Sequence, residues 1–206
     1  QDHKPVVDQH EAVGHAVRAG YMYAAMADIA RFMDAPDYER ALDSLWSDVV
    51  GRKMYLTGGV GTGQYDDEGF GDPYLLPNES AYCESCAAIA HVLWQHRMNL
   101  LKGQAKYADA MELALYNCML SGISISGNQF FYQNPLASKG AERRPWIGLS
   151  CCPTNLMRII PQVGGLAYAR GKRRAVVNLY VAGEARLKVD DRVTVKLAQQ
   201  TDYPWD

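Results

Sequence analysis

Apolar and small residues recur at helical spacing over two adjacent stretches near the start of the chain. The first covers residues 12–33, and Pro36 opens a second that ends near residue 52. They predict two antiparallel helices. Residues 56–77 are polar and glycine-rich and predict a long loop. Because Phe70 and Leu75 give this segment apolar anchors, and long loops inside compact domains are usually functional or disordered, we interpret it as a functional loop.

A second pair of segments with helical spacing of apolar residues follows, and after it the pattern becomes that of extended strands. Asn78 or Ser80 can cap a third helix that runs to about residue 101, and Gly103 separates it from a fourth over 105–120. Residues 124–132 read as extended, and Pro153 opens a helical stretch to about residue 169. Short strands are predicted over 176–181, 185–189 and 193–197. The chain is therefore mainly α, with paired helices typical of part of an α/α toroid followed by a β domain.

Charge and composition exclude several classes of function. The chain has 21 basic and 23 acidic residues in 206, a net charge of −2, so it has no basic field for nucleic acid. No apolar run approaches the roughly 18 to 20 residues of a membrane span. The chain starts at Gln1 without a methionine and stops inside a strand-like stretch, which leads us to expect a piece of a longer protein.

Cysteines lie at the starts of two predicted helices. Cys83 and Cys86 flank Glu84 at the third helix, and Cys151 and Cys152 precede Pro153 at the fifth. A helix N-terminus stabilises thiolates, and several thiolates with a carboxylate suit tetrahedral zinc. The spacing is not that of a zinc finger. For any one of these cysteines an inert buried thiol stays an open alternative, and the fifth cysteine of the chain, Cys118, fits the core of the fourth helix.

Several longer motifs accompany these cysteines: Tyr82-Cys83-Glu84-Ser85-Cys86-Ala87, Phe130-Phe131-Tyr132-Gln133-Asn134-Pro135-Leu136 and Cys151-Cys152-Pro153-Thr154-Asn155. Together they resemble the zinc-dependent β-L-arabinofuranosidases of glycoside hydrolase family 127, and the resemblance extends over essentially the whole chain. It implies that residues 1–170 are the C-terminal half of an (α/α)6 barrel catalytic domain. Residues 171–206 would then begin a truncated β-sandwich domain.

The resemblance also implies a set of site residues. Those matching the family's ligands for Zn2+ are Glu84, Cys86, Cys151 and Cys152. Cys151 matches the thiolate nucleophile of a retaining mechanism, and Glu68 matches the general acid/base. Those matching sugar-contacting positions are His15, Glu112 and Tyr132. The family commonly has threonine where this chain has Ser85, a conservative change that we do not expect to alter the ligands.

This chemistry is physically sound. A retaining glycosidase needs one group to protonate the leaving oxygen and another to attack the anomeric carbon. Zinc would keep the Cys151 sulfur deprotonated, and Glu68 would need a pKa raised toward neutrality. The resemblance implies that the reaction removes non-reducing-end β-L-arabinofuranosyl residues from plant arabino-oligosaccharides.

Two alternatives stay open at this point: a zinc-stapled structural or binding module without turnover, and a thiol redox protein that uses Cys83 and Cys86. We expect neither nucleic acid nor membrane as a partner. The oligomeric state and the compartment are left open, with the bacterial cytoplasm favoured over secretion.

Overall fold

The computed structural model describes residues 2–64, 67–146, 148 and 150–201, and they are mainly helical, as predicted. The α-helices are α1 (Ala16–Met33), α2 (Pro36–Asp48), α3 (Ser85–Lys102), α4 (Ala105–Ala114) and α5 (Cys151–Ile159). Single π-helical segments continue α2 and α4, over Val49–Lys53 and Leu115–Met119. Short 3-10 helices cover Val6–Asp8, Leu120–Gly122 and Ile160–Gly165. The strands are β1 (Tyr168–Gly171), β2 (Arg174–Val177), β3 (Gly183–Lys188) and β4 (Thr194–Gln199).

Several predicted boundaries were wrong, and each error has a local cause. The third helix begins at Ser85 rather than near residue 80, because Glu84 pairs as a β-bridge with Gln133 before the helix starts. The first begins at Ala16 because the His15 side chain caps it. Residues 168 and 169, at the end of the predicted helical stretch, instead belong to strand β1, which pairs antiparallel with β2.

Helices α1 and α3 pack side by side and run in the same direction. Their contacts advance together along both helices, from Gly20 against Ala90 to the mutually tilted rings of Tyr23 and Trp94. A Cβ atom at Gly20 would lie only 2.8 Å from the Ala90 Cβ, so glycine permits this close approach. Because the helices are parallel, their N-terminal ends lie at the same end of the bundle.

The chain divides into two compact units, residues 1–158 and 159–206. The first holds the helical core, in which α2 packs on α1 and α4 packs on α3. In the second, β1 pairs with β2 and β3 pairs with β4, each pair antiparallel. The division falls before the domain boundary predicted at residues 170/171, and the start of a β-sandwich stays a prediction. Among the described residues, no helix has the length and apolarity that crossing a membrane requires.

Candidate active site

Four predicted ligand residues meet where α3 and α5 begin. Glu84 is the residue before α3, Cys86 lies in its first turn, and Cys151 and Cys152 open α5. Their ligand atoms all lie within 4.8 Å of one another. Glu84, Cys86 and Cys152 are buried, whereas Cys151 is exposed. The cluster thus joins two helix starts that are far apart in the sequence.

The distances within this cluster fit a tetrahedral zinc ion. The Cys152 sulfur lies 3.5 Å from the Cys86 sulfur and 3.9 Å from the Cys151 sulfur. Two sulfurs bound to zinc at about 2.3 Å in a tetrahedron are separated by about 3.8 Å. The Glu84 Oε1 atom lies 3.5 Å from the Cys152 sulfur and 4.0 Å from the Cys151 sulfur. A bound carboxylate oxygen would lie about 3.5 Å from each sulfur.

The other carboxylate oxygen of Glu84 supports the same conclusion. Oε2 is buried and has no hydrogen-bond partner within the part of the chain that the structure describes. A buried polar atom without a partner is unfavourable unless a cation or other group satisfies it. The donor set, three thiols and one carboxylate, is one that zinc prefers. The cluster could therefore hold a metal ion, and its residues fit zinc.

Close packing of acidic groups perturbs the pKa values in the cluster. Burial, followed by the negative charge of Cys86, raises the pKa of Glu84 to about 8. The hydrogen bond with Cys152 is the main cause that lowers the pKa of the Cys86 thiol to about 6. The same hydrogen bond, together with burial, raises the pKa of Cys152, and burial raises that of Cys151. A divalent cation would reverse this competition for protons, because it stabilises all of the anionic forms.

Glu68 lies beside this cluster and is held by three side chains. Its Oε2 atom is 2.9 Å from Nε2 of His15, and its Oε1 atom accepts a hydrogen bond of 2.7 Å from the Tyr132 hydroxyl. The Tyr82 hydroxyl is 3.5 Å from the same Oε1 atom. Burial is the main cause that raises the pKa of Tyr132, and its interactions with Glu68 and then with Cys151 raise it further. One tyrosine hydroxyl thus connects the predicted acid/base with the predicted nucleophile.

Backbone hydrogen bonds attach the Glu68 loop to the start of α1. The Ala16 N–H donates to the Glu68 carbonyl at 2.8 Å, and the Phe70 N–H donates to the Gly14 carbonyl at 2.9 Å. His15 and Gly69 form an antiparallel bridge between these two segments. The carboxylate is therefore placed by the beginning of α1, and the ligand cluster by the beginning of the parallel helix α3.

Not every predicted site residue is drawn into this arrangement. Glu112 is half-buried on α4, and no contact among the described residues joins it to Glu68 or to the cluster. Cys83 is fully buried, and its interaction with the equally buried Cys118, together with burial, raises the pKa of its thiol, as expected for a core cysteine.

The structure adds two site residues that the sequence analysis did not assign. Tyr82 contacts Glu68, and an interaction with Asn155, after that with Cys152, helps to lower the pKa of Cys86. Both lie in the quoted motifs, Tyr82 two residues before Glu84 and Asn155 three residues after Cys152. That position is the only sequence signal that could have found them.

Comparison with solved structures defines the class of protein to which this fold and site belong. A GH127 beta-arabinofuranosidase is 50% identical, with a TM-score of 0.95 over 100% of this chain and 32% of its own. A GH127 beta-L-arabinofuranosidase from Geobacillus stearothermophilus is 43% identical, with a TM-score of 0.94 over 100% of this chain and 34% of its own. The fold is thus that of part of a glycoside hydrolase.

Sequence comparison gives the family directly. Residues 1–165 match the family model described as Beta-L-arabinofuranosidase, GH127 catalytic domain, so the chain belongs to this family. A non-reducing end beta-L-arabinofuranosidase from Bifidobacterium longum is 32% identical over 98% of this chain and 32% of its own length. The chain spans about a third of the length of these relatives.

Proposed function

We propose that the protein is a retaining β-L-arabinofuranosidase in which Cys151 is the nucleophile and Glu68 the general acid/base. The observation that carries the proposal is the Tyr132 hydroxyl, which contacts both groups at once. Tyr132 is thus a shared neighbour of the exposed sulfur and of the Glu68 carboxylate. We therefore propose that the two groups act together at one carbon, as a double displacement requires.

In the first step, Glu68 donates its proton to the glycosidic oxygen while the Cys151 sulfur attacks the anomeric carbon. The bond from that carbon to the leaving oxygen breaks, and a carbon–sulfur bond forms. In the second step, Glu68 accepts a proton from water, whose oxygen displaces the sulfur. Two inversions at one carbon give overall retention.

Glu84, Cys86, Cys151 and Cys152 would hold zinc in this proposal. A zinc ion bound there would keep the sulfurs as thiolates at neutral pH. Glu84 and Cys86, both buried, act as fixed ligands, whereas the exposure of Cys151 makes its sulfur accessible to substrate. The proposed substrate is a non-reducing-end arabinofuranosyl unit of an arabino-oligosaccharide, and His15 and Tyr132 are proposed to contact the sugar. Glu112 stays a proposed sugar contact on the family resemblance alone. The surrounding helices are proposed to be part of an (α/α)6 toroid.

A structural zinc staple is the second candidate, because four protein ligands are typical of closed structural sites. The contacts of Glu68 favour the enzyme. A purely structural zinc site does not require a carboxylate held by His15, Tyr82 and Tyr132 beside an exposed sulfur.

Intact-protein mass spectrometry with p-nitrophenyl β-L-arabinofuranoside separates the two roles in the full-length protein. Glu68→Gln should release one burst of nitrophenol and then stall with an arabinosyl group on the protein, because this leaving group needs little protonation but hydrolysis needs the base. Cys151→Ser should show no burst and no mass increase. We expect turnover to fall by about 10²- to 10⁴-fold in Glu68→Gln.

Glu79→Gln, at an exposed loop position, is the matched control and should turn over normally. Steady turnover by Cys151→Ser would reject the nucleophile assignment and leave the structural staple as the better account.

A further inference from the structure

The two ring nitrogens of His15 make contacts that place opposite requirements on their protons. It is the N-cap of α1, where its Nδ1 atom accepts a hydrogen bond of 3.2 Å from the Val17 N–H. Its Nε2 atom lies 2.9 Å from Oε2 of Glu68. A nitrogen that accepts a backbone N–H carries no proton of its own, so in neutral imidazole the proton must be on the other nitrogen.

We propose that His15 is a positioning residue, held by the α1 cap as the Nε2–H tautomer, which donates to Glu68 and fixes the orientation of its carboxylate. This role is distinct from a sugar contact, and it rests on the proposed function of Glu68 as the acid/base.

The surroundings of Glu68 make this orientation specific. Tyr132 donates to Oε1 and Tyr82 lies against the same atom, so both tyrosines act on one oxygen. His15 donates to the other oxygen, and the three contacts together fix the plane of the carboxyl group. Because the backbone of Glu68 is also hydrogen-bonded to Ala16, in the first turn of α1, the carboxyl and its donor cannot move independently.

The cap accounts for the choice of histidine at this position. A serine, aspartate or asparagine would cap the helix equally well but would be too short to reach Glu68. Histidine carries an acceptor near its backbone and a donor at its far end, and the helix determines which nitrogen is which. An asparagine side chain can replace the Nδ1 acceptor that caps α1, and a glutamine side chain can replace the Nε2 donor to Glu68. The two substitutions therefore separate capping from positioning.

Nitrogen NMR of the full-length protein labelled with 15N-histidine tests the tautomer without any assay of activity. We expect Nδ1 of His15 to resonate as an unprotonated nitrogen and Nε2 as a protonated one, with the signals assigned by their loss in His15→Asn. A protonated Nδ1, or rapid exchange between tautomers, would overturn the proposal even if the protein proves to be an arabinofuranosidase.

Kinetics and thermal unfolding of His15→Asn and His15→Gln provide a second test. His15→Asn should keep the melting temperature of the parent but lose about 100-fold in kcat, because a misoriented catalytic group costs about that much. His15→Gln should recover much of that kcat while melting at a lower temperature, because the cap is lost. His10→Asn, at an exposed position, should change neither quantity.

A purely sugar-contacting or capping histidine would give a different pattern. A sugar contact would raise KM with kcat unchanged in both variants. A cap alone would lower the melting temperature of His15→Gln and leave the kcat of His15→Asn intact. Either result would overturn the positioning role. If the parent shows no arabinofuranosidase activity, the proposed function fails. The NMR measurement then still tests the tautomer of His15, because it does not depend on activity.

Discussion

The two helix pairs of the bundle secure their ends by different physical means. The first hairpin, α1 and α2 with the π-helical segment Val49–Lys53, fixes the segment before α1 with buried charges. The second hairpin, α3 and α4 with the π-helical segment Leu115–Met119, fixes the segment before α3 with neutral amides and hydroxyls. The first segment leads to His15 and the second contains Glu84. Each anchor therefore supports one half of the candidate site.

In the first hairpin, the anchor converges on Ala12. The buried Lys53 donates to the Ala12 carbonyl at 2.8 Å, and Asp48 accepts from the Ala12 N–H at 2.8 Å. Lys53 also lies 3.4 Å from Asp48 and 3.1 Å from Glu11. Such an anchor is strong only while both buried charges are paired.

In the second hairpin, Asn134 holds the segment that contains Glu84. Its side-chain amide donates to the Cys83 carbonyl and to the Ser85 hydroxyl, each at 3.0 Å, and its carbonyl oxygen accepts from Ser121 at 3.1 Å. Ser85 donates in turn to the Phe131 carbonyl at 2.8 Å. All groups in this network are neutral, and each has a hydrogen-bond partner within it. We therefore expect the segment that contains Glu84 to be less sensitive to the loss of a single hydrogen-bond partner than the segment before α1.

Lys53→Met tests the charged anchor and should give the largest effect. We expect the free energy of unfolding to fall by about 3 kcal/mol, because the Ala12 carbonyl loses its buried donor and the buried Asp48 is left with the partly exposed Arg52 as a cationic partner. Chemical denaturation measures it. Lys102→Met is the matched control, since that lysine pairs with Glu39 and Asp43 near the surface and should cost at most about 1 kcal/mol. Equal losses in the two variants would remove the contrast between the hairpins.

Asn134→Ala tests the neutral anchor with a smaller expected loss, about 2 kcal/mol in the free energy of unfolding. The loss follows because the substitution leaves the Ser121 and Ser85 hydroxyls short of a buried partner. Asn128→Ala serves as the control and should stay within about 0.5 kcal/mol, because Asn128 is exposed on a loop and accepts a hydrogen bond from the exposed Ser126. A loss as large as that of Lys53→Met would contradict the ranking of the two anchors.

Acid should destabilise the second hairpin through its buried histidines. Burial lowers the pKa of His91 and of His96, both on α3, to about 4 from about 6.5. The unfolded chain therefore binds more protons than the folded one between these values. The contribution that the two neutral histidines make to the free energy of unfolding is fully present above about pH 6.5 and is lost as the pH falls toward about 4.

For His91 the loss between pH 7 and pH 5 should reach about 2 kcal/mol. Denaturation curves at the two pH values, compared with those of His91→Gln, measure this contribution. An unchanged pH dependence in the variant would show that His91 is not held neutral by burial.

The sequence predicted the components of this site better than their support. Cysteines at two helix starts indicated a metal site by themselves, whereas the choice of Glu84, Cys86, Cys151 and Cys152 as ligands came from the family resemblance. Glu68 was found only through the family resemblance, since one acidic residue in a polar loop has no local pattern of its own. Lys53 and Asp48 were missed because charged residues at the end of an amphipathic helix normally face solvent, and the π-helical segment that contains Lys53 leaves no periodic signal.

The same limit explains the errors in the fold. Helix pairs followed from apolar spacing, whereas the start of α3 depended on a bridge between Glu84 and Gln133, far apart in sequence. Long-range pairing of this kind overrides local propensity.

Metal content measured with activity on one sample tests the central claim most directly. Elemental analysis of the purified full-length protein should give about one zinc per chain, and hydrolysis of p-nitrophenyl β-L-arabinofuranoside should be lost on chelation and restored by zinc. Folded, reduced protein without zinc, or hydrolysis that survives complete removal of the metal, would contradict the thiolate-zinc account of the site.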